Sequence, residues 1–203
     1  MPIYLTVLGI ITALNTLVNI NSKIKKMATT KWSLDPSHSE LGFKIKHLMI
    51  SSVTGKFTQF DAEAETEGDD FSNAKVVANI KPASIDTSNE QRDEHLRNAD
   101  FFAVESHPNM KFVSNKVEKV DDDSFNLFGD LTIKDTTKPV KLSVEYNGIA
   151  TDPWGNVKAG FSVSGKINRK DWGINYNAAL ETGGVMLGEE LKIQGEVQLV
   201  KQA

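Results

Sequence analysis

The chain has 203 residues, 39% of them hydrophobic, which suits one sizeable core and is short for two domains. Its formal net charge of −4, with acids and bases interspersed and no basic stripe, speaks against nucleic acid as a partner. Cysteine is absent, so disulfides, thiolate nucleophiles and thiolate zinc sites are excluded and stability must come from packing.

Pro2 to Ile20 is mostly apolar but diluted by Thr6, Thr12, Asn15, Thr16 and Asn19, and the nearest cations, Lys23, Lys25 and Lys26, follow it. A secretory signal wants its positive charge first and a small-x-small cleavage site last, which fits poorly here. Residues 1–26 therefore read as a non-native or disordered extension upstream of an ordinary start at Met27, as a weak membrane anchor, or as an export signal. The trailing lysines of an anchor would hold the domain on the cytoplasmic side. Localisation follows from that choice: cytoplasmic if the chain starts at Met27, otherwise periplasmic or membrane-tethered. Without the extension and its three lysines the net charge passes from −4 to −7, so the domain proper, expected over residues 30–203, is acidic.

A short strand is expected at Lys31 to Leu34. From Glu40 the sequence alternates, with Leu41, Phe43, Ile45 and His47 on one face and Glu40, Lys44 and Lys46 on the other. Val53 to Glu67 reads as one strand with Phe60, Ala62 and Ala64 inward, and Ala74 to Lys81 as the next, with Val76, Ala78 and Ile80 inward. Ser88 and Gln91 form a capping-box start, with Glu90, Asp93 and Glu94 suited to the positive end of a helix, which places one short helix at about 89–98. Helical spacing puts Arg92, His95 and Leu96 on one face and lets Asp93 pair with Arg97 on another. Phe101 and Phe102 give it an apolar exit, and Pro108 stops it.

Met110 to Val120 changes face between Phe112 and Val113, which suggests a bulge. Phe125, Leu127, Gly129, Leu131 and Ile133 then alternate with polar residues, a turn falls at Asp135 to Lys138, and Val140, Leu142, Val144 and Tyr146 return as a hairpin. After the turn-rich Thr151 to Asn156, two more strands carry Val157, Ala159, Phe161, Val163, Gly165 and Ile167, then Leu191, Ile193, Gly195, Val197 and Leu199. Long alternating strands joined mainly by turns call for an antiparallel all-β barrel or sandwich. Gly129, Gly165, Gly195, Ala62, Ala64, Ala78 and Ala159 fall at inward positions, where they either leave room for a ligand or, in the case of the glycines, kink strands for closure.

No histidine pair among His38, His47, His95 and His107 has the spacing that sets two imidazoles on one helical face, so neither a metal site nor a cofactor is expected. Ser37-His38-Ser39 lacks the Gly-x-Ser-x-Gly setting of a nucleophile elbow. Arg169 continues the inward parity of its strand, and a buried arginine needs an acid or carbonyls as partners.

Trp32-Ser33-Leu34-Asp35-Pro36-Ser37-His38-Ser39, Gly42-Phe43 to His47, Gly55-Lys56-Phe57, Arg92-Asp93-Glu94-His95-Leu96, Asp100-Phe101-Phe102, His107-Pro108 to Phe112, and Asn168-Arg169-Lys170-Asp171-Trp172-Gly173 stand in order along the chain. Together, from about Thr30 to Val200, they resemble the YceI-like family. The resemblance implies an extended eight-stranded antiparallel lipocalin-like barrel holding a polyisoprenoid or similar long lipid in an interior tunnel. His38, His47, Arg92, His95 and Arg169 match family motif positions.

The function expected is binding without catalysis. Ligand contacts are expected from the inward residues Phe43, Ile45, His47, Phe60, Ala78, Leu127, Gly129, Leu142, Phe161, Val163, Gly165, Ile193 and Gly195. The helix and its exit would add Arg92, His95 and Phe102, and Arg92 with the amides of Ser88 to Glu90 would suit a diphosphate head group. The partners expected are a long-chain isoprenoid or other lipid, with membrane contact for lipid exchange and a homodimer as further options. Two readings compete: a hydrolase or isomerase acting on such a lipid with His38 or His47 as base, and a structural stress-related domain with a filled core.

Overall fold

The computed structural model describes residues 29–178 and 185–202; the extension assigned to residues 1–26 lies outside them. Among the described residues, eleven strands and one α-helix follow in the order β1 (Thr29–Leu34), β2 (Glu40–His47), β3 (Ser51–Phe57), β4 (Phe60–Glu67), β5 (Asp70–Ile80), β6 (Ile85–Asp86), α1 (Glu90–Arg97), β7 (Met110–Lys119), β8 (Ser124–Ile133), β9 (Thr136–Thr151), β10 (Val157–Asn168) and β11 (Leu187–Lys201). β1, β4, β5, β7, β8, β9, β10 and β11 pair antiparallel in that lateral order, and β11 returns to β1, closing an eight-stranded barrel. Closure leaves this ring no unpaired edge.

β2, β3 and β6 extend the wall at one end. β11 pairs with β2 through Leu187 to Glu196 and then with β1 through Leu199 to Lys201. β1 and β2 thus act as one strand bent at the 3₁₀ turn Pro36–His38, where the Asp35 side chain accepts from the Ser37 amide. The strand expected over Val53 to Glu67 is likewise two segments. Thr58 N donates to Ser84 O, and Gln59 N to Ser84 Oγ, so the backbone leaves the ladder there: β3 pairs with β2 and β6, and β4 with β1 and β5.

The bulge expected in β7 is present, with a register shift between Ser114 and Lys116, and it returns Val117 to the interior while Val113 stays 39% exposed outside. The β8–β9 turn is tighter than expected. Ile133 pairs with Thr136, leaving only Lys134 and Asp135 to reverse the chain, with Lys134 at φ 54°. The helix also departs in detail from its expected cap and pairing. Asn89, not Ser88, is the N-cap, and its side chain accepts from Arg92 N. Asp93 does not meet Arg97; it is buried and accepts from the Thr87 amide at 3.0 and 3.1 Å, while Arg97 pairs with Glu90 at 3.0 Å and donates to the Ala83 carbonyl. A buried carboxylate needs such donors more than a solvated helix face needs an i,i+4 pair.

Two apolar clusters make up the core. Trp32, Ala64, Ala159, Phe161 and Leu199 gather at one end, where Phe71 stacks on Trp32, Tyr146 and Phe161 with centroids 5.0, 5.8 and 4.9 Å apart. At the other, α1 and the segment after β10 cover the opening. Phe101 and His95 pack on Tyr176, and Trp172 Nε1 donates to Leu131 O.

Candidate functional site

Inside the barrel, lined by members of both clusters, lies a cavity of about 510 Å³ with almost entirely apolar walls. This volume lies within the range usual for small-molecule sites. Strand parity places most of the wall. Phe43, Ile45 and His47 come from β2; Phe60 from β4; Ala78 from β5; Leu127 from β8; Leu142 from β9; Phe161 and Val163 from β10; and Ile193 and Gly195 from β11. Arg92 and His95 of α1 and Phe102 beyond it complete the expected set at the helix end.

Gly129 and Gly165 are not on the cavity wall, although their parity is inward. A Cβ at Gly129 would meet the Phe112 ring at 2.5 Å, and one at Gly165 would meet Leu142 Cδ2 at 2.6 Å. Both missing side chains are replaced by a neighbouring strand's large residue lying across the glycine, and that residue forms the wall instead. The room these glycines leave belongs to packing. Ala159 likewise sits in the Trp32 cluster at 0% exposure.

Sequence reasoning missed Phe71, Ile174, Tyr176 and Met186. Phe71 precedes the point from which alternation was read, and the other three stand outside the regular strands, where period 2 gives no direction. Arg169, by contrast, lies where parity placed it and finds carbonyls as partners. Nε donates to Gly188 O at 2.9 Å and Nη1 to Ile174 O and Tyr176 O at 2.7 and 2.8 Å, while Nη2 is buried without a partner. The residue is 4% exposed, and desolvation lowers the pKa of its guanidinium.

The polar groups on the wall are unevenly distributed. His47, Arg92, His95, Arg169 and Tyr176 gather toward the α1 end, and the opposite end is aromatic. Arg92 does not present an open fork. Its Nε donates to Thr87 Oγ1 at 2.7 Å and its Nη2 to Thr87 O at 2.8 Å, because Thr87 is held by Asp93 one helical residue away. Of the amides of Ser88 to Glu90, that of Ser88 is taken, donating to Asp86 Oδ1; Arg92 N, one turn further on, donates to Asn89 Oδ1. Among the described residues neither Arg92 nor Arg169 has a carboxylate within salt-bridge distance; Glu189 acts on Arg169 from further away, and Arg92 reaches the buried Asp93 only through Thr87. His95 Nε2 lies 3.0 Å from Asp100 Oδ2. His38 is outside the chamber, exposed and 2.9 Å from Asp35. No group of three or more potential metal ligands occurs among the described residues.

Fold and cavity together define a closed, hollow, lipocalin-like antiparallel barrel. The YceI-like domain family matches residues 32–199, and the chain belongs to that family. A UPF0312 protein of Staphylococcus epidermidis is 46% identical over 170 residues, covering 83% of this chain and 96% of its own length. The YceI protein of Campylobacter jejuni, a solved structure, superposes with a TM-score of 0.66 at 34% identity, covering 84% of this chain and 97% of that one. Burkholderia cenocepacia BcnA, at 19% identity, 81% and 98% coverage and a TM-score of 0.69, shares the fold. So does a polyisoprenoid binding domain from Saccharophagus degradans, at 13% identity, 84% and 98% coverage and a TM-score of 0.60.

Proposed function

We propose that this chain binds a long amphipathic lipid, an isoprenoid or a molecule of similar shape, inside the barrel and releases it unchanged. The observation that carries the reading is the chamber itself: an apolar volume inside the barrel with arginine and histidine toward one end. Hydrocarbon gains from leaving water along the whole wall, whereas a polar or anionic head is favoured only where donors are within reach. Arg169 Nη2, buried and without a partner, is a donor that a head group could satisfy after a small local movement. The name of the Saccharophagus domain points to the same ligand class.

Catalysis is the weaker reading. A hydrolase using His47 as base would need a hydroxyl nucleophile or a positioned water beside it, and among the described wall residues there is no serine or threonine. Native mass spectrometry of the purified full chain, with identification of extracted lipid, tests the proposal. We expect a mass above that of the polypeptide and an intact isoprenoid-like lipid on extraction. A bare polypeptide that takes up no offered isoprenoid would exclude lipid binding, and a lipid converted to a new product would exclude a passive carrier.

A further inference from the structure

The β2–β3 hairpin ends in Leu48, Met49 and Ile50, which are 36, 63 and 85% exposed. Leu48 and Met49 take φ values of 51° and 60°, the left-handed region that asparagine and glycine enter at far lower cost. A tip selected only to turn the chain would carry those residues, so Leu48 and Met49 are held there against local backbone preference, with Ile50 beside them in solvent. Leu48 N donates to Met186 O at 2.8 Å, which brings Val185, itself 42% exposed, beside the same tip. The hairpin continues the cavity wall: Ile45 pairs with Val53, both line the chamber, and His47 is the last wall residue before the tip. Because β11 begins opposite His47 and β10 ends opposite Glu190, the tip projects from the end that also carries α1, Arg169 and Tyr176.

The outer face behind the tip is basic although the chain is acidic overall. Lys44 pairs laterally with Lys192, and Lys192 with Lys166, so three ammonium groups share one rung across β2, β11 and β10, with Lys46 two residues nearer the tip. Like charges directly opposite are unfavourable in a sheet. Lys166 and the neighbouring Lys170 are matched by Glu190 and Glu189 at 3.2 and 2.6 Å; Lys44, Lys46 and Lys192 have no acidic partner among the described residues. An apolar tip with cations a few residues behind it is the arrangement that enters the interface of an anionic bilayer.

We infer that Leu48-Met49-Ile50 is a membrane-insertion tip, docking the polar end of the cavity on an anionic lipid bilayer so that lipid passes between membrane and barrel. The inference rests on the lipid-carrier reading above, but docking is measured independently of it.

Because the chain has no cysteine, Ile50→Cys can carry a single environment-sensitive nitrobenzoxadiazole label, with Trp154→Cys in the β9–β10 turn, 82% exposed at the opposite end, as control. On adding vesicles of equal parts phosphatidylcholine and phosphatidylglycerol to the full chain, the label at 50 should brighten and shift to the blue while that at 154 stays unchanged. Lys44→Glu with Lys46→Glu and Lys192→Glu should weaken the response by at least roughly tenfold in vesicle concentration, since each lysine near an anionic surface contributes. Leu48→Asn with Met49→Gly and Ile50→Ser should fold at least as stably, because Asn-Gly suits the turn. The same variant should still take up isoprenoid offered from detergent, yet lose lipid transfer from vesicles by roughly tenfold or more. A label at 50 that does not respond, responses that are equal at 50 and 154, or unchanged transfer by the tip variant would each overturn the inference. Failure of uptake from detergent by the parent chain would overturn the carrier reading alone.

Discussion

Arg169 Nη1 donates to the Tyr176 carbonyl over 2.8 Å, and this one contact ties the end of β10 to the segment that presents Tyr176 to His95. With the bonds to Ile174 and Gly188, the guanidinium spans three carbonyls. Lysine, a point donor on a flexible stem, cannot cover all three. Arg169→Lys should therefore cost about 2–4 kcal/mol, by leaving buried carbonyls unsatisfied. Urea unfolding would measure this, and amide exchange of Ile174 and Tyr176 should quicken more than that of the barrel strands. A change in midpoint too small to resolve would mean that water replaces the guanidinium.

Glycine and alanine positions should separate packing from ligand space. Gly165→Leu collides with Leu142 and should cost about 1–3 kcal/mol. Ala78→Phe projects into the chamber and should instead lower lipid occupancy, with a smaller loss of stability. Thermal melts set beside the lipid content of each purified variant make the comparison. Equal lipid content in Ala78→Phe and the parent chain would place the ligand elsewhere.

Acid should loosen the bend between β1 and β2. Asp35 accepts from Lys158 Nζ at 2.8 Å and from the Ser37 amide, and the lysine above all holds its carboxyl at about 2 against an ordinary 3.8. Because the folded value is the lower one, this carboxylate contributes stability above about pH 4 that is lost as the pH falls through about 2. Asp35→Asn should lower the melting temperature at neutral pH and flatten its dependence between those two values. A parallel acid limb in parent and variant would assign the loss to other carboxylates.

Deleting residues 1–26 should leave folding and lipid uptake intact, since alternation begins only after Trp32 and the family match starts there. Circular dichroism and lipid content of the truncated chain read this out. An insoluble or empty product would make the extension part of the domain, and loss of vesicle binding with fold and uptake retained would make it an anchor.

Much of the barrel was legible because a half-buried strand writes its orientation every second residue. Phe43, Leu127 and Ile193 were placed by parity alone, and Arg169 was assigned buried partners on the same ground. Parity failed where the direction of a side chain is decided by its neighbour. Gly129 and Gly165 face inward yet lie beneath Phe112 and Leu142, a relation that depends on lateral pairing. The split at Thr58 and Gln59 was also hidden, because the bend is imposed by Ser84, far away in sequence. The helix face was half legible. Arg92 and His95 do share the cavity side, but Thr87 takes the donors that composition alone would assign to a phosphate.

The seam between β1 and β11 sets when the protein can finish folding. Trp32 pairs with Lys201 and Leu34 with Leu199, and Ser33 meets Gln202 across a separation of 169 residues. On the ribosome, the ring therefore remains an open sheet with exposed edges until the β11 residues 199–201 have emerged. Contacts of such long range place folding toward the slow end of the scale for its size. A nascent chain of this kind cannot close its barrel until β11 itself is available to pair with β1.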